Sequence, residues 1–67
     1  MKIILTEVDH GDGKVSISAS ALVGAKLHAS SRILDDLDHM PEKLQHFHKN
    51  TARNIVTREL IEKLYPE

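Results

Sequence analysis

The chain has no cysteine and no tryptophan, one tyrosine, one phenylalanine and two prolines in 67 residues. Without cysteine there is neither a disulfide nor a thiolate metal site, which fits a reducing compartment. Aromatics make up 3% of the chain, too few to stack the bases of a single-stranded nucleic acid. No apolar run approaches the roughly 18 residues of a membrane helix. The opening MKIILTEVD is apolar too briefly, and acidic too soon, for a signal peptide. These absences predict a soluble, cytoplasmic protein. Charge of one sign is also lacking. The formal net charge is −1, so the overall field selects no partner and an acidic DNA mimic is not expected. A chain this short buries only about 60% of its unfolded surface. One domain over residues 1–67 is therefore expected to gain further burial by self-association.

What is present begins with Lys2 to Val8, a β-branched, apolar stretch that reads as a strand. Ile3, Ile4 and Leu5 are consecutive, which predicts a strand covered on both faces, hence a central one. Asp9 to Gly13 reads as a turn of four or five residues. Lys14 to Ala21 alternates, with Val15, Ile17, Ala19 and Ala21 inward and Ser16, Ser18 and Ser20 outward. Residues 2–21 thus form a β-hairpin.

The stretch Ser20 to Met40 winds into an amphipathic pattern at about 100° per residue. Leu22, Val23, Leu27, Ala29, Ile33, Leu34, Leu37 and Met40 share one side. A helix over 20–40 is expected, weakened near its start by Gly24, which costs about 1 kcal/mol relative to alanine. Pro41 suits the first position of a second helix, and Glu42 its N-terminal dipole. That helix is expected over 41–65, where Pro66 cannot continue it. Its early stripe is Leu44, Phe47, His48, Ala52, Ile55 and Val56. Beyond Arg58 the apolar side moves to Leu60, Ile61 and Leu64, so a break near Asn50 or Arg58, or docking on a partner, is expected. The expected fold class is α+β, an N-terminal β-hairpin followed by two α-helices (ββαα), completed by homodimerisation.

Motifs that carry chemistry are weak. Five histidines invite a metal reading, but His46 and His48 lie two apart and do not share a helix face. Asp35 and His39 would share one, with His46 brought near by a corner at Pro41; solvated polar residues are the preferred reading. Gly11-Asp12-Gly13-Lys14 lacks the spacing of a phosphate loop and the twelfth-position acid of a calcium loop. No Ser, His and Asp spacing singles out a nucleophile and its base. No enzyme activity, metal or cofactor is expected.

Two functions remain. The first is a small protein-binding module, an adaptor or inhibitor acting as a homodimer, of a size common among phage- and mobile-element-encoded proteins. Its contacts would be Leu60, Ile61, Leu64 and Tyr65, rimmed by Asp35, Asp36 and Asp38. The second is a dimeric DNA-binding regulator. Lys43, Lys49, Arg53 and Arg58 would face phosphates, and Asn50 and Asn54 would reach base edges. Asn50-Thr51-Ala52-Arg53 before Ile55-Val56 resembles the opening of the second helix in ribbon-helix-helix regulators. The resemblance covers about fifteen residues. An extra strand precedes it, and the distance from Ile17 to Asn50 is long for that family's short first helix.

Overall fold

The computed structural model describes residues 2–65. Its order is βββα, not ββαα: β1 (Ile4–Gly11), β2 (Lys14–Val23), β3 (Lys26–Leu34), a 3-10 turn (Leu37–His39) and α1 (Glu42–Leu64). The three strands form one antiparallel sheet in the order β1-β2-β3.

The β2 alternation behaves as its sequence predicts. Val15, Ile17, Ala19 and Ala21 are buried, and the serines between them are not. The turn before β2 is tighter than expected. Asp12 and Gly13 form it, both with positive φ (54° and 75°), as a two-residue type I′ turn requires. A bulge between Asp9 and Gly11 takes up the extra residue and lets β1 run on to Gly11.

The expected helix over 20–40 is instead the end of β2, a second tight turn and all of β3. Gly24 explains why. It sits at φ 64° as the first central residue of a Gly24-Ala25 turn, the position where a type II′ hairpin calls for glycine. Val23 then pairs with Lys26, Leu22 with Leu27, and so on to Val15 with Leu34. β1 is consequently an edge strand and β2 the central one. β1 is exposed along its whole length, so the run Ile3-Ile4-Leu5 does not mark a doubly covered strand.

α1 starts directly after Pro41, where Gln45 donates its side-chain amide to the Met40 carbonyl at 2.9 Å. It continues unbroken for 23 residues. The stripe does not jump, because Ala52, Val56 and Leu60, four residues apart, are the buried set. They pack on the apolar side of β2 together with Leu37, and Ile3, Leu34, Met40 and Leu64 close the margins. α1 lies over β2 and β3 rather than β1. The sheet is therefore covered on one face only.

Candidate interaction surfaces

Strand register decides what the uncovered face carries. Paired residues in a sheet point to the same side. The partners of Ser16, Ser18, Ser20 and Leu22 therefore share their face: Val8, Thr6 and Ile4 on β1, and Ile33, Ser31, Ala29 and Leu27 on β3. Ile4, Val8, Leu22, Leu27 and Ile33 are 46–67% exposed there. Among these described strand residues there is no Asp, Glu, Lys or Arg. Lys14 and Asp35, 3.9 Å apart, stand beyond the Ser16–Ile33 end, and His10 Nε2 meets Ser16 Oγ at 2.8 Å on the rim.

The flanking strands thus turn Ile4, Val8, Leu27 and Ile33 to solvent and Glu7, Ser30 and Arg32 to the helix side, where Leu5 and Leu34 are the apolar exceptions. On β3, Ser30 donates to Glu59 at 3.1 Å and Arg32 lies 3.8 Å from the same carboxylate. Lys63 Nζ donates to the Ala29 carbonyl at 2.6 Å. On β1, Glu7 accepts from Arg53 at 2.6 Å and meets Lys49 at 3.3 Å. α1 therefore sits on an apolar ridge, β2, with polar contacts along both sides.

The residues expected to carry function fall in different places. Leu60 is in the protomer core at 0% exposure, so it is not a surface contact, and Leu64 is half-buried against that core. Ile61 and Tyr65 are exposed, on the side of α1 that also carries Phe47 and Leu44. Asp35, Asp36 and Asp38 lie in the exposed link between β3 and α1. Asp36 has φ 60°, so Asp35 and His39 never share a helix face. Asp9, Asp12 and Asp38 border a cleft of about 280 Å³ with Gln45 and Lys49, over Val15 and Leu37. Among the described residues no three acidic or histidine side chains converge as metal ligands.

The six residues expected to face DNA are divided. Lys49 and Arg53 lean over β1 onto Glu7, while Lys43, Asn50, Asn54 and Arg58 are exposed to solvent. Opposite charge already occupies part of the basic run. Replacing Glu7 with Gln should cost no more than about 1 kcal/mol, because all three partners are partly solvated. A urea titration checks this, and a larger loss would mean that the pair holds α1 in place.

The apolar sheet face could not be read from hydropathy alone, because Leu22, Leu27 and Ile33 also fit a helical stripe. Gly24-Ala25, flanked by Leu22-Val23 and Lys26-Leu27, was the available signal for a tight turn. Among the described residues no helix is long and apolar enough to cross a membrane. Comparison with protein families, curated proteins and solved structures finds no match for this chain.

Proposed function

We propose that the chain is a small, non-catalytic protein-binding module, an adaptor or inhibitor that works as a homodimer. One observation carries this reading. Among the described residues five large hydrophobic side chains are buried: Val15, Ile17, Leu37, Val56 and Leu60. Eleven others are at least 42% exposed. Scattered exposed hydrophobes are ordinary, but contiguous apolar patches mark interaction sites. Nine of the eleven form two groups: Ile4, Val8, Leu22, Leu27 and Ile33 on the open sheet face, and Leu44, Phe47, Ile61 and Tyr65 on the outer side of α1. The second group is the surface left for a target protein, with Lys43 and Arg58 beside it as a charged rim.

A nucleic-acid role is the competing class, and salt separates the two. Phosphate contacts release counterions on binding; apolar docking does not. A labelled random duplex titrated at about 50 and 200 mM salt should show no retention at either. Binding that weakens by two decades or more between them would overturn the protein-binding reading in favour of the Lys43–Arg58 run. A photo-reactive residue in place of Phe47 should cross-link one discrete protein in lysate of the source cell, and Ile61→Asp should abolish that product.

A further inference from the structure

We infer that the open sheet face is the dimer interface, with a second copy packed on it face to face about a two-fold axis. This rests on the homodimeric reading and gives it a geometry. The register supplies the first argument. Shifting a strand by one residue moves its whole side-chain set to the other face. β1 and β3 are nevertheless paired to β2 so that Ile4, Val8, Leu27 and Ile33 point away from the helix while Glu7 and Arg32 point toward it. That choice leaves the protomer's own core smaller than its composition allows. It is a sound arrangement only if the outer side is also covered.

The second argument is self-complementarity, which a two-fold interface demands. Among the described strand residues of this face between Ser16 and Leu27 none carries a fixed charge, so apposing those rows with themselves brings no like charges together. Its cross-strand rows run apolar, hydroxyl, apolar: Val8–Ser16–Ile33, then Thr6–Ser18–Ser31, then the rows of Ile4 and of Leu22–Leu27. A two-fold axis through the middle sets apolar ends on apolar ends. Hydroxyls then meet hydroxyls, each able to donate and accept. The small serines and Ala29 let the sheets approach closely.

Area and competing geometry agree. Five side chains 46–67% exposed, with the hydroxyl rows between them, present an area on the order of the ~800 Å² per partner of a standard interface. The alternative, strand pairing along the bare β1 edge, meets the Asp9–Gly11 bulge and the inward-pointing Glu7. Both are devices by which natural sheets discourage edge association. The resulting dimer is layered helix, sheet, sheet, helix. Its two outer helix surfaces point in opposite directions.

Sedimentation equilibrium and one spin-label distance test this together. The chain should sediment at twice its 7.5 kDa mass. Leu27→Asp combined with Ile33→Asp touches no buried residue and should weaken association by roughly 100-fold or more. Ser31→Arg, which removes no apolar group, should act in the same direction if the double variant folds poorly. Because the chain lacks cysteine, Asn54→Cys gives a single labelling site on the exposed side of α1. Stacked sheets about 10 Å apart put the two labels roughly 35 Å or more from each other, whereas edge pairing puts the helices on one side, about 20 Å apart. A monomer at roughly 100 μM, or a dimer with the short distance, would overturn the inference. The cross-linking result at Phe47 judges the protein-binding reading independently of either.

Discussion

Leu60→Asp is expected to unfold the chain, whereas Ile61→Asp, one residue on, is expected to leave it folded. Leu60 is 0% exposed and completes the row of Ala52 and Val56 against the sheet, while Ile61 is 42% exposed on the opposite side of α1. Losing a buried leucine alone costs about 2–5 kcal/mol. A carboxylate in its place adds the penalty of an unpaired buried charge, since no buried polar or charged partner lies among the described residues. The total stability of a 67-residue domain is about 3–10 kcal/mol, so the variant exhausts most or all of it. Circular dichroism melts at one fixed protein concentration are the check, because association makes melting depend on concentration. Leu60→Asp should show no cooperative transition; Ile61→Asp should melt within roughly 5 °C of the unmodified chain. A folded Leu60→Asp protein of reduced mass would place Leu60 at an interface, as the hydropathy pattern first implies, and would require α1 to be rotated.

The contrast between these neighbours shows what in this chain can be read without coordinates. β2 is legible because its alternation is strict and its inward set is apolar. α1 is legible in its type and start, which Pro41 and Glu42 mark, but not in its continuity, because the shift of the apolar side beyond Arg58 reads as a break that the helix does not make. Its orientation is not legible. Phe47 and Ile61 are as apolar as Val56 and Leu60, and only docking on the alanine-rich ridge of β2 decides which pair turns inward. β3 is the hardest element. Its apolar residues Leu27, Ala29 and Ile33 face away from the helix, and Lys26, His28, Ser30 and Arg32 take the covered side, with only Leu34 at the end of the strand turned to the core. An alternation search expects the reverse, and winding the same residues as a helix gives an equally clean stripe. The expected docking site suffers for the same reason. Leu60 looks like a surface residue only while Leu22, Leu27 and Ile33 are assigned to the core that Leu60 in fact occupies.

Gly13→Ala is expected to cost far more than Gly24→Ala, although both glycines sit at positive φ in two-residue turns. Gly24 has φ 64° and open space where a Cβ would go, so its replacement meets only the left-handed backbone penalty, about 1–2 kcal/mol. Gly13, at φ 75°, would carry its Cβ 2.8 Å from the Asp38 backbone nitrogen and against the Asp38 carboxylate. The carboxylate can swing aside. The backbone cannot, because Leu37, one residue before it, donates its N–H to the Gly13 carbonyl at 3.0 Å and buries its side chain in the core. Relieving the clash means lifting the 3-10 turn off the β1–β2 hairpin and drawing Leu37 outward. The combined loss should be about 3–5 kcal/mol, at or beyond the upper range of single substitutions. At roughly 4–8 °C per kcal/mol for a domain of this size, Gly13→Ala should lower the melting temperature by about 12–40 °C, against about 4–16 °C for Gly24→Ala. Equal shifts would mean that the turn and the Asp38 segment are not in contact. That contact ties the β1–β2 hairpin to the link entering α1, where Gln45 caps Met40 and the helix is aimed along β2 and β3. If it gives way, α1 loses its aim. The division of the sheet into one covered face and one open face, on which both the dimer and the target surface depend, is then lost with it.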